Sequence, residues 1–141
     1  MKAGADYIGI GAGALIFNDE GKILLMKRGA SAKNEIGHWT IPGGSIEFGE
    51  TMKDAVIREA REEIGCEIEI DGQLPAIDHI LPSENQHWVT TIFTCRIKSG
   101  TPKILETEKC EEMNWFSLDN LPSPLSASIK DTVENFYTIA G

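Results

Sequence analysis

The chain has 141 residues and a formal net charge of −9, from 13 Lys and Arg against 22 Asp and Glu. A chain of this length buries a sizeable core without disulfide or metal staples, so residues 1–141 are expected to form one domain. No apolar run nears the roughly 18–20 residues that span a bilayer, no basic-then-apolar segment opens the chain, and no Lys/Arg cluster is longer than Lys27-Arg28, which argues against membranes and nucleic-acid polymers as partners and for a cytoplasmic location.

Gly9 to Phe17 reads as a strand, Asn18 to Gly21 as a turn and Ile23 to Met26 as the returning strand of a hairpin. Residues 29–38 are polar and form a loop, followed by a short strand at Trp39-Thr40-Ile41 that Pro42-Gly43-Gly44 stops. Glu50 to Ile64 contains neither Gly nor Pro and predicts a helix, with Gly65 where a C-cap glycine belongs. Strands are expected at Cys66–Ile70, Ala76–Leu81, Trp88–Ile97 and Met113–Phe116, with a turn at residues 82–85. Leu121-Pro122-Ser123-Pro124 breaks the chain before a last helix from about Leu125 to Ile139, whose Leu125, Ile129, Val133, Phe136 and Tyr137 share one face. Strands interleaved with two helices indicate a mixed α/β domain. Cys66, Cys95 and Cys110 are odd in number and widely spaced, so they read as buried free thiols and not as a disulfide framework.

The chemistry concentrates between Gly43 and Cys66. At about 100° per residue, Met52, Val56, Ile57, Ala60 and Ile64 fill one apolar arc of the helix, and Glu59, Glu62 and Glu63 adjoin it. Like charges at i,i+3 and i,i+4 repel, and partial burial strengthens the repulsion. A divalent cation compensates it, since carboxylate oxygens are what Mg²⁺ prefers. A solvated acidic face neutralised by Arg58 and Arg61 is the competing reading of the triad alone. The glycines ahead of the helix weigh against that reading, because bare backbone lets a carbonyl approach a metal or an N–H approach a phosphate.

Gly44, Glu50, Arg58-Glu59-Ala60, Glu62-Glu63, Gly65 and Cys66 are spaced as G-x5-E-x7-R-E-U-x-E-E-x-G-U. In this the chain resembles the Nudix hydrolases. All seven fixed residues are present, and Cys66 stands where an aliphatic residue is usual. Trp39 to Gly44 and the Trp115-Phe116…Leu121-Pro122 segment are also similar to the family's lead-in and C-terminal segments. The resemblance implies an α/β/α sandwich with a central mixed β-sheet. It implies Mg²⁺, which Mn²⁺ can replace, held by Glu59, Glu62 and Glu63 with a carbonyl of Gly43 or Gly44. Arg58 would orient a carboxylate, and Glu50 would support the loop–helix geometry. The metal would neutralise phosphate oxygens and activate water, with Glu59 as general base and Glu63 as the alternative. A further acidic ligand is sought at Glu108, ahead of Glu111, although a solvated charge run explains both. Homodimers are frequent in the family and are expected here by analogy.

For the substrate, Arg28 could reach a phosphate or remain a surface cation. His38 could touch a base or phosphate or be a plain loop residue. Phe17 and Trp88 could stack on a base, with core packing the stronger expectation. His79 and His87 flank the 82–85 turn, where an imidazole could serve the leaving group. The small-molecule substrate expected is a nucleoside triphosphate, as in the MutT-like members, cleaved to monophosphate and pyrophosphate. Pro82, sixteen residues past the motif, favours the alternative of ADP-ribose or another nucleoside-diphosphate sugar. A binding module that has lost turnover is the rival from another class, and the intact glutamates argue against it.

Overall fold

The structure is a computed structural model and describes residues 1–137; Ile139, the expected end of the last helix, lies outside them. Period-two alternation of buried side chains sets the layering. In β1 (Gly9–Ile16) and β2 (Ile23–Arg28), Ala12, Ala14, Ile16, Leu24 and Met26 enter one core, while Leu15, Ile23 and Leu25 enter a second. Strands buried on both faces require cover on both. α1 (Met52–Ile64) covers the first core through Val56, Ala60 and Ile64, and α2 (Ala127–Phe136) covers the second through Ile129.

β1 lies at the centre of a mixed sheet. It pairs antiparallel with β4 (Gly43–Ser45) and parallel with β7 (Gln86–Ser99). The other edge of β7 takes β6 (Ile77–Leu81) along its first half and β5 (Glu67–Gln73) along its second, both antiparallel. A second, antiparallel sheet is ordered β3-β2-β8, from β3 (Trp39–Thr40) and β8 (Cys110–Phe116). The architecture is the expected mixed-sheet sandwich.

Several local expectations change. The strands expected to form a hairpin, β1 and β2, lie in different sheets, each taking other partners, and are bridged at Phe17 and Ile23. Pro42-Gly43-Gly44 does not end the extended chain: Gly43 and Gly44 pair with Gly13 and Ala12. A Cβ on Gly43 would collide with the Ala12 carbonyl and lie 2.7 Å from Gly13 Cα, so close backbone approach explains the glycine. α1 begins at Met52 because the Thr51 side chain caps Asp54 N at 3.1 Å. Met52 leaves the apolar face at 38% exposure, and Ala55 is buried instead. α2 begins at Ala127 because the preceding residues are held extended along β3, with Ser126 N donating to Trp39 O and Trp39 N to Pro124 O, both 2.8 Å. Phe136 is 37% exposed, while Leu125, Val133 and Tyr137 pack on the second core. The three cysteines are free and buried. Among the described residues no helix is long and apolar enough to cross a membrane.

Candidate active site

The Thr51 cap and the Gly65 C-cap set the limits of α1. Gly65 adopts the left-handed conformation (φ 69°) that lets its N–H reach Arg61 O. The loop after β7 then satisfies the last helical carbonyls: Lys103 N donates to Ile64 O and Leu105 N to Glu63 O. This docking brings Glu106 beside Glu63.

Arg58 is the hub. Its guanidinium donates to both Glu50 oxygens at 2.7 and 3.0 Å, to Glu59 Oε1 at 2.9 Å, to Glu62 Oε2 at 3.3 Å and to Ser45 O at 3.1 Å. Glu50 also accepts from Glu47 N at 3.0 Å, closing the loop onto the helix. The two-pronged Arg58 bond, with that N–H, holds the Glu50 carboxyl down at about 2.

Glu63 is the reverse case. Its carboxyl accepts from Gly43 N at 3.1 Å. Burial first, and then the adjacent Glu59 carboxyl, push its pKa well above the usual carboxylate range. Glu59 in turn packs against bare backbone: a Cβ on Gly44 would lie 2.7 Å from its Oε1. Gly43 therefore presents an N–H to this glutamate pair, and Gly44 presents the gap that Glu59 fills.

These groups border a cleft of about 420 Å³, to which Glu59, Glu62, Glu63, Gly43, Gly44 and Arg58 all contribute. Arg28 and Trp88 line it as well. Arg28 is held by Nε donating to Asn34 O at 2.7 Å, and burial lowers its pKa against the pull of Glu35, Glu63 and Glu84. Trp88 donates from Nε1 to Gln86 Oε1 at 2.8 Å, with Lys33 Nζ 5.8 Å from its ring centroid. Phe17, His38 and Glu108 are not among the lining residues. Phe17 packs on Tyr137 with ring centroids 5.9 Å apart. His38 Nδ1 lies 3.4 Å from Ile36 O. Glu108 uses its backbone, its carbonyl accepting from Ser31 N. Glu106 and Lys109 occupy the cleft in its place, with Lys109 Nζ 3.3 Å from Glu106 Oε2. Nothing in the order of the acidic run distinguishes Glu106 from Glu108; the docking of the loop on the α1 C-terminus decides it.

The donor set suits a hard divalent cation. Two carboxyls, Glu59 and Glu63, are packed together, and burial and that crowding raise the pKa of Glu63, the condition a cation relieves. Glu62, with its side chain 53% exposed, is held by Arg58 at 3.3 Å and would leave that bond to join them. Among the described residues no three His, Cys, Asp or Glu groups already stand at ligand spacing; Arg58 draws Glu62 aside, and binding requires that side chain to turn.

The NUDIX domain model matches residues 8–136. Two curated relatives are the 8-oxo-dGDP phosphatase NUDT18 of Homo sapiens and the ADP-ribose pyrophosphatase of Methanocaldococcus jannaschii. The first is 32% identical over 117 residues, covering 81% of this chain and 34% of the relative. The second is 33% identical over 109 residues, covering 76% of this chain and 61% of the relative. The chain thus spans about a third of the human relative and under two thirds of the archaeal one. Among solved structures, the MutT NUDIX hydrolase from Burkholderia pseudomallei superposes with a TM-score of 0.85 at 36% identity, over 93% of this chain and 99% of that one. With the motif on α1, its glycines on β4 and a family match over nearly the whole length, the chain belongs to the NUDIX family.

Proposed function

We propose that this domain is a divalent-cation-dependent hydrolase that cleaves a nucleoside triphosphate to its monophosphate and pyrophosphate. The observation that carries the reading is the Glu59–Glu63 pair packed against the Gly43–Gly44 backbone in a cleft that Arg28 also lines. Glu59, Glu62 and Glu63, with a carbonyl of Gly43 or Gly44, would hold Mg²⁺, and Glu106 replaces Glu108 as the acidic residue from the later loop. Bound Mg²⁺ would supply charge neutralisation across the phosphates and acidify the attacking water.

The chain's own residues do the rest. Arg58 fixes the Glu59 carboxylate, which takes the proton as water oxygen bonds to phosphorus and the bridging P–O bond breaks. Arg28, Lys33 and Lys109 offset the phosphate charge, and Trp88 offers an aromatic face to the base. The high structural similarity to the MutT protein over matching lengths supports the triphosphate reading. The archaeal relative and Pro82, which opens the turn between β6 and β7, favour ADP-ribose as the second reading.

Incubation with dNTPs and with ADP-ribose, in Mg²⁺ or EDTA, followed by chromatography, tests both. Loss of triphosphate only with Mg²⁺ is expected, and Glu62→Gln should abolish it while leaving the fold intact. Turnover that persists in EDTA or in that variant would remove the proposed site.

A further inference from the structure

His79 is left over from the chemistry above. It lies on β6 directly opposite Trp88 of β7, is 6% exposed and lines the cleft. Neither of its ring nitrogens has a hydrogen-bond partner. A buried polar atom without a partner costs about 1–3 kcal/mol, so a ligand that bonds it gains an interaction the free protein lacks. The adjoining acid is Asp131 of α2, with Oδ2 3.4 Å from Nδ1, an ion-pair separation too poorly disposed for a hydrogen bond. A carboxylate only accepts, so it favours the ring proton on Nδ1 and leaves a lone pair on Nε2. Asp131, Glu35 and Asp78 all favour the imidazolium, but burial outweighs them and lowers the pKa, keeping the ring neutral at pH 7.

What could bond to Nε2 follows from chemistry. Phosphate oxygens are acceptors and offer it nothing. A planar base offers both N–H donors and a face for the neighbouring indole. The surrounding wall, with Leu81 and Ser128, comes from β6, β7 and α2, which carry none of the α1 glutamates.

We propose that His79, oriented by Asp131, is a specificity-determining residue whose Nε2 accepts a hydrogen bond from an N–H donor on the substrate's nucleobase. Asp131 is a positioning residue. The inference rests on the nucleotide-hydrolase reading and names the group that reads the base.

The test compares ATP or GTP, whichever the wild type hydrolyses faster, with purine riboside triphosphate, whose base carries no N–H donor. The wild type should favour the donor-bearing base in kcat/KM by about tenfold, the worth of one such bond. In His79→Phe the ratio should fall to about one through KM. A wild type that does not discriminate, or a folded variant that keeps the ratio, overturns the proposal. Should His79→Phe not fold, ¹⁵N NMR of the wild-type side chains decides, with His79 assigned by removing the other two histidines (His38→Gln, His87→Gln). On adding AMP or GMP the unprotonated His79 nitrogen should move upfield, and an unmoved resonance overturns the assignment. Asp131→Asn should convert the single Nδ1–H tautomer into a mixture, which loss of packing alone would not do. If the wild type hydrolyses no nucleotide, the hydrolase reading fails, while the NMR shift still reports on His79 by itself.

Discussion

Adjacent glycines on β4 should respond in opposite ways to one added methyl. In Gly44→Ala the three atoms nearest the new Cβ all belong to the Glu59 carboxylate, at 2.7 Å from Oε1, 2.9 Å from Cδ and 3.1 Å from Oε2. Ordinary contact begins near 3.4 Å, so Oε1 must retreat by about 0.7 Å. It is the far end of a flexible side chain, and turning it costs stability on the order of 1 kcal/mol or less. The retreat strains the 2.9 Å bond from Arg58 and misplaces the group assigned to the proton. A displacement near 1 Å at a reacting centre costs roughly 100-fold in rate. Gly43→Ala meets backbone, the Ala12 carbonyl and Gly13 Cα, which cannot turn aside. Overpacking of that kind costs about 1–3 kcal/mol or more, several degrees in Tm for a domain this size. Steady-state kinetics with Mg²⁺ and thermal unfolding separate the two. Gly44→Ala should lose about two orders of magnitude in kcat with Tm nearly unchanged, and Gly43→Ala should lose Tm. Full activity in Gly44→Ala, or equal losses of Tm in both variants, would refute the contact geometry as the basis of Glu59 placement.

Three further outcomes follow from the same network. The Glu50 carboxyl, held at about 2 by Arg58 and Glu47 N, contributes stability that is present above its ordinary pKa of 4.5 and lost as pH falls toward 2; urea midpoints should drop over that window in the wild type and less in Glu50→Gln. Glu63 has the opposite sign. Its raised pKa makes the folded state favour the protonated acid, so its contribution is present at low pH and lost as pH rises through the folded value. Metal-free Glu63→Gln should therefore melt above the wild type at pH 8, and Mg²⁺ should raise the wild-type Tm and not the variant's; a lower Tm for the variant would contradict the crowding of Glu63 against Glu59. Burial pushes the Cys95 thiol to about 12 and Cys110 to about 11 and also raises Cys66, so a thiol reagent at pH 8 should label none of the three until the protein unfolds.

The helix and its glutamates were legible because each signal is local. A 3.6-residue period and a C-cap glycine both lie within one segment, whereas the start at Met52 is set by the Thr51 cap, which the residue pattern did not single out. The apolar face begins later than its period suggests, since Met52, the first residue of α1, is 38% exposed. β4 was illegible for the converse reason. Gly43 and Gly44 have no intrinsic preference for a strand, and β1, thirty residues earlier in the sequence, imposes the pairing. The acidic loop was illegible in the same way. Glu106 and Glu108 are equivalent in the sequence, and the contacts of Lys103 and Leu105 with the end of α1 select between them. The residues weighed for substrate contact divide by whether they reach the cleft. Arg28 on β2 and Trp88 on β7 line the cleft, while His38, in the connection before β3, does not.

An overall charge of −9 would repel a polyphosphate, and the distribution of charge in the cleft shows how that repulsion is met. Arg28, Lys33 and Lys109 all line it, but each already has a partner: Arg28 bonds to Asn34 O, Lys33 to Ser45 Oγ at 3.3 Å and Lys109 to Glu106. Arg58, the strongest cation at the site, is committed to Glu50, Glu59 and Glu62. Arg58 and Lys109 thus cover the protein's own anions, Arg28 and Lys33 bond neutral oxygens and keep their charge for the phosphates, and the glutamates outnumber what Arg58 alone can neutralise. The proposed triphosphate would add several more negative charges than Arg28 and Lys33 can offset. Binding then requires cations that arrive from solution, with Glu62 released from its 3.3 Å bond to Arg58 as they bind. On this argument, nucleotide affinity depends on Mg²⁺ before any bond is broken, and calorimetric titration of a nucleoside monophosphate should show tight binding with Mg²⁺ and little in EDTA. Equal affinity in the two buffers would mean that the resident cations suffice and that the carboxylate cluster has a role other than holding metal.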